Sequence, residues 1–144
     1  MRENYAKETM ETLTELANKL RTDKGTTFRQ GHGYTPLYDL LFHSMRNLPI
    51  RLLEIGLSIG GPELKDGSID RNVVDAPSVR MWRQFFPNGH IYGVDISDFS
   101  RFQNEWFTFY RADCGDASQL DAVASACTEQ MDIIIDDGSH ASFH

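Results

Sequence analysis

Cysteine is scarce in this 144-residue chain: Cys114 and Cys127 are the only two. A disulfide framework or a cysteine zinc centre needs more thiols, or thiols at closer spacing, so both read as free, buried or half-buried side chains. Cations are also few. Lys and Arg number 14 against 21 Asp and Glu, a net charge of −7, with a pI near 5.1. Surfaces that bind nucleic acid or anionic lipid need clustered Lys and Arg, and no such cluster exists here. No run approaches the roughly 18 apolar residues of a membrane span, and the start, MRENYAKETMETL, has no apolar stretch behind its basic residue. The expectation is a cytoplasmic protein with neither nucleic-acid nor membrane partners. Internal repeats and low-complexity tracts are lacking too.

What is present is the composition of one globular domain, 40% hydrophobic and 24% charged. Leu13, Leu16, Ala17 and Leu20 recur at the spacing of one helical face. Thr35 and Pro36 read as a cap and first turn, followed by Leu37, Leu40, Leu41 and Leu48 as a second apolar face that Pro49 closes. The period then changes. Ile50 to Ile55 is a short apolar run ending in glycines, as in a strand buried on both faces. Further strands are expected at His90 to Asp95, Trp106 to Ala112 and Met131 to Asp136, with helices near Ser78 to Phe86 and Ser118 to Glu129. Such alternation predicts an α/β fold, a parallel sheet wound by helices on both faces. The polar stretch from Pro62 to Pro77 interrupts the rhythm and reads equally as a surface insertion or as a loop over a ligand.

Chemistry concentrates at the expected strand ends. Glu54-Ile55-Gly56-Leu57-Ser58-Ile59-Gly60-Gly61 is a glycine turn, where main-chain atoms can bend and approach a ligand. Ser58 stands where a dinucleotide fingerprint has its second glycine, and Glu54 would repel a diphosphate yet suit an ammonium group. Asp95 is placed to accept from ribose hydroxyls. Asp113 can accept from an adenine amino group, while Asp116 reads as a helix cap. In Ile135-Asp136-Asp137-Gly138-Ser139-His140, alternation sends the two carboxylates to opposite sides, so one faces the crevice. A carboxylate suits Mg²⁺ or another hard ion, and His140 can act as base toward a hydroxyl held by that metal.

The ordered set of these pieces resembles the class I S-adenosylmethionine-dependent methyltransferases, and within them the metal-dependent sugar O-methyltransferases of macrolide biosynthesis. The resemblance runs through Asp23-Lys24-Gly25, His32-Gly33-Tyr34-Thr35-Pro36, Leu53-Glu54-Ile55-Gly56 with Gly60-Gly61, and Val79-Arg80-Met81-Trp82 with Phe86-Pro87. It continues through Ile91-Tyr92-Gly93-Val94-Asp95 and ends at Ile135 to His140. It implies a Rossmann-like fold with a helical cover over residues 1–49 and the cofactor domain over 50–144, holding four of the family's seven strands. It also implies S-adenosylmethionine bound by Glu54, Gly56, Ser58, Gly60, Gly61, Asp95 and Asp113, with Tyr34 in a segment closing over the pocket. Asp137 would be a Mg²⁺ ligand and His140 the general base toward a hydroxyl of a glycosylated natural product. The expected state is a homo-oligomer, and the chain reads as a fragment or an early-terminated copy of a longer enzyme with Ile133 to Ile135 on an open sheet edge. Two other readings stay open at this point: a catalytically silent nucleotide-binding or assembly module, and an NAD-dependent oxidoreductase.

Overall fold

In the computed structural model, residues 10–28, 31–57 and 75–138 are described. Four parallel strands, β1 (Arg51–Ile55), β2 (His90–Asp95), β3 (Phe107–Arg111) and β4 (Ile133–Asp136), form one sheet in the order β3-β2-β1-β4. Leu52 pairs with Ile91 on one side and with Ile133 on the other. β2 keeps the bounds of its expected run and the other three strands are slightly shorter, with side-chain bonds joining the ladder near two of their starts. The Arg51 amide donates to the Asp132 carboxylate at 2.8 Å, and Trp106 instead donates its amide to Asn104 at 2.9 Å.

The chain moves outward from β1 to β2 to β3 and then returns past β1 to β4. Since parallel crossovers are right-handed, this reversal sends the helices before β2 and before β4 to opposite faces and opens a crevice between β1 and β4 at the carboxyl ends. The helices are α1 (Leu13–Leu20), α2 (Thr35–Phe42), α3 (Pro77–Phe85) and α4 (Ala117–Ala126). On one face, Leu13, Leu16 and Ala17 of α1 and Val79, Met81, Trp82 and Phe85 of α3 join Leu52, Ile91, Phe107 and Phe109 in the core. α1 is closed by a reciprocal Thr12–Glu15 capping box and α4 by Asp116, which accepts from the Ser118 and Gln119 amides. Asp116 is thus the cap its position suggests. The opposite face carries Tyr110, whose pKa is raised first by burial and then by the nearby Cys127 thiol just past α4. α4 itself buries none of its residues, so this face is thinly covered. Both cysteines are free and half-buried.

The second helix departs from expectation in two ways. Tyr34, not Thr35, is its N-cap, with no side-chain hydrogen bond; Thr35 lies inside the first turn beside Pro36, and its hydroxyl is buried without a partner among the described residues. The leucines also point outward. Leu40 is 78% exposed, and Leu37, Leu41 and Leu48 are at least half exposed. The rotation follows the aromatics, which have more surface to bury. Tyr38 and Phe42 pack on Trp82 at ring separations of 5.9 and 6.4 Å, and Phe42 reaches Phe86 at 6.3 Å. A 3-10 turn, His43–Met45, then ends the segment.

β4 lies at the sheet edge as expected, but only Ile134 is uncovered, at 62% exposure; Ile133 and Ile135 are buried on the helix-covered face. No described helix is long and apolar enough to cross a membrane. Phe85 is fully buried, edge-on to Phe86 at 4.9 Å and under the Arg46 guanidinium at 4.7 Å. Phe85→Ala is expected to lower unfolding free energy by about 3–5 kcal/mol. Leu40→Ala should stay within about 0.5 kcal/mol of the parent in the same urea titrations; a larger loss would place the leucine face in the core.

Candidate functional site

The carboxyl ends of β1, β2 and β4 meet at the crevice. Asp137 donates its amide to the Ile55 carbonyl at 2.9 Å, and Gly56 donates its own to the Val94 carbonyl at 2.8 Å, so the turn after β1 is stitched to both neighbours. Gly56 has φ +82°, and a Cβ there would collide with the Asp137 main chain. The glycine is therefore needed for close approach of backbone to backbone as well as for its conformation.

Asp95 is nearly buried, and its two oxygens accept from the Leu57 and Ser97 amides, each at 2.7 Å. These bonds fix the carboxylate at the mouth of β2. Asp113, half-buried after β3, accepts from the Gly115 amide at 2.9 Å through one oxygen. The loop after β3 comes close to the one after β4, since a Cβ on Gly138 would touch the Cys114 sulfur at 3.2 Å.

The two adjacent carboxylates divide as alternation requires. Asp136 is exposed and accepts from the Gly138 amide at 3.2 Å, whereas Asp137 turns into the crevice. There it meets a residue that sequence reasoning did not single out for chemistry. Lys24 Nζ lies 2.5 Å from Asp137 Oδ2 and 2.8 Å from Glu54 Oε1, with its side chain 3% exposed. Glu54 is fully buried, and its other oxygen accepts from the Ser78 hydroxyl at 2.8 Å. Burial alone would pull the Lys24 pKa down, but the Glu54 and Asp137 carboxylates outweigh it and raise it above the ordinary lysine value. A raised lysine stabilises the fold fully below its unfolded-state pKa, and the contribution fades only as pH rises through the folded-state value.

Lys24 is delivered by a loop closed on itself. Arg21 ends α1 in the left-handed conformation at φ 61°, and the Thr22 and Gly25 amides bond back to Ala17 and Thr22. The Lys24 carbonyl then accepts from the Tyr34 and Thr35 amides at 3.1 and 3.2 Å. Tyr34, half-buried, stacks on His32 at 5.2 Å. Tyr38 feels Asp137, Lys24 and Glu54, although burial is the main reason its pKa is raised.

The structure thus brings Glu54, Gly56, Asp95 and Asp137 to one crevice, with Asp113 on the neighbouring loop and Tyr34 on the segment that carries Lys24. Ser58, Gly60, Gly61, His140 and most of the 62–77 stretch lie outside the described residues. Among the described residues no three His, Cys, Asp or Glu side chains group as a metal centre. Asp137 fits a hard cation as a single ligand: Oδ2 is held by Lys24, while Oδ1 accepts no hydrogen bond among the described residues.

Gly56→Ala is expected to destabilise by about 1–3 kcal/mol from backbone strain alone, more with the clash. Lys24→Met leaves buried carboxylates unpaired and should lose about 3–5 kcal/mol. Lys19 pairs with Glu11 at the surface, and Lys19→Met should change stability by no more than about 1 kcal/mol. Equal losses for the two lysines in chemical denaturation would refute the buried ion pair.

No family model matches the chain. Among curated proteins it is 40% identical to mycinamicin VI 2''-O-methyltransferase of Micromonospora griseorubida over 135 residues, covering 92% of this chain and 30% of the relative. It is 39% identical to demethylmacrocin O-methyltransferase of Streptomyces fradiae, with the same two coverages. A solved structure of the MycE methyltransferase of mycinamycin biosynthesis, in complex with Mg, SAH and mycinamycin VI, superimposes with a TM-score of 0.73 at 36% identity, covering 94% of this chain and 34% of that one. The chain therefore spans about a third of the length of the relatives it matches.

Proposed function

We propose that this chain, homologous over nearly all its length to one stretch of the macrolide sugar O-methyltransferases, carries the cofactor-binding edge of an S-adenosylmethionine-dependent O-methyltransferase. The substrate class is a sugar hydroxyl of a glycosylated natural product. The observation that carries this reading is the meeting of Glu54, Gly56, Asp95 and Asp137 at the sheet's switch point, in a chain 40% identical to an enzyme of that activity.

In this reading Asp95, held by the Leu57 and Ser97 amides, accepts from the ribose hydroxyls. The oxygen of Asp113 not engaged by Gly115 accepts from the adenine amino group. The Gly56 turn, with Ser58, Gly60 and Gly61, receives the methionine part; Glu54 acts there through Lys24 and Ser78, which occupy its oxygens. S-adenosylmethionine, when bound, supplies a methyl group on a sulfonium. His140 takes the proton of the substrate hydroxyl as its oxygen forms the new bond to carbon and the carbon–sulfur bond breaks. Asp137 offers Oδ1 to a divalent ion such as Mg²⁺, whose role when bound is to acidify that hydroxyl. Residues 1–49, with Tyr34, cover the pocket and keep it dry, which matters because opposite charges on oxygen and sulfur cancel in the transition state. Assembly into a homo-oligomer belongs to the same reading, supported by the uncovered leucines of α2.

Calorimetry with S-adenosylhomocysteine should give saturable binding that Asp95→Ala weakens by about tenfold or more, and NADH should not compete. In a version extended past His144, His140→Ala should leave that binding intact and abolish methyl transfer to a demethylated glycosylated macrolide. Absence of binding by the folded protein would overturn the reading.

A further inference from the structure

Asp137 faces two cationic demands, and the geometry shows how they are arranged. Its Oδ2 is held by the Lys24 ammonium at 2.5 Å, and its Oδ1 is free of hydrogen bonds among the described residues. A dication on that carboxylate and an ammonium on its other oxygen would sit within a few ångströms of each other, where like charges repel strongly even at a moderate effective dielectric. Lys24 has somewhere to withdraw. Glu54 Oε1 is already 2.8 Å from Nζ, and Ser78 fixes the far side of that carboxylate, so the ammonium stays neutralised if Asp137 is released. The Lys24 main-chain carbonyl is tied to Tyr34 and Thr35, so a shift that reaches the Lys24 backbone is passed to the start of α2.

We propose that Lys24 is a positioning residue that competes internally with the divalent cation for Asp137: its ammonium occupies the carboxylate in the metal-free protein and withdraws onto Glu54 when the metal binds. The lysine thereby lowers metal affinity and couples metal loading to the segment bearing Tyr34. Its removal should tighten metal binding, whereas a lysine that merely braces the fold would, when removed, loosen it. This rests on Asp137 as a metal ligand, and the test uses Mn²⁺ alone, without cofactor, so that cofactor binding remains a separate readout.

Lys24→Met by itself strands buried carboxylates, so the informative variant is Lys24→Met with Glu54→Gln, which removes the pair together and keeps an acceptor for Ser78. Titrated with Mn²⁺ by electron paramagnetic resonance, the double variant should bind at least about tenfold more tightly than the parent, and adding Asp137→Asn should abolish the gain. In the parent, the Lys24 ε-methylene resonance should move on addition of Mg²⁺ and stay fixed in Asp137→Asn. Unchanged or weaker Mn²⁺ binding by the folded double variant, a gain that survives Asp137→Asn, or a Lys24 resonance indifferent to Mg²⁺ would each overturn the proposal. If neither protein binds Mn²⁺, Asp137 as a metal ligand falls with it, while S-adenosylhomocysteine binding still reports on the methyltransferase reading.

Discussion

The rest of the site depends on one buried ammonium. Lys24 sits between Glu54 at the end of β1 and Asp137 just past β4, and so ties the N-terminal loop to both sides of the crevice. Three charges taken out of water are tolerable only when each is paired and hydrogen-bonded. Ser78 meets that condition for Glu54, and the Lys24 ammonium meets it for Asp137 by donating to Oδ2, while the bonds to the Lys24 carbonyl hold the loop in place. Charge pairing at the bottom of the crevice thus fixes where the covering segment lies.

The sheet supplies the other half of the constraint. Because the order is β3-β2-β1-β4, the turn after β1 faces the reversal point, where an open parallel sheet leaves room for a ligand. Gly56 lets that turn approach the Asp137 backbone, and Asp95 clamps the next residues through Leu57 and Ser97. The crevice is therefore shaped by main-chain contacts, with carboxylates aimed along it.

Much of this was legible in the sequence because it is local. The apolar runs marked the strands, Gly56 marked a turn that needs φ above zero, Asp116 marked a cap, and alternation separated Asp136 from Asp137. The family resemblance was also legible, from motifs spread over the chain. What escaped was decided by distant partners. Lys24 and Asp137 are 113 positions apart, and nothing in Asp-Lys-Gly announces a buried pair. The orientation of α2 was misjudged because leucine spacing offers one face while Tyr38 and Phe42 find Trp82 and Phe86 on another. Thr35 had the chemistry of a cap, but Tyr34 takes that place once its amide bonds the Lys24 carbonyl.

The most direct measurement of the central claim is a backbone amide map of the labelled protein titrated with S-adenosylhomocysteine. The account predicts that the largest shifts fall on Gly56, Leu57, Ser97 and the loop around Asp113, at the carboxyl ends of β1, β2 and β3. Shifts confined to α2 or the opposite end of the sheet would contradict it.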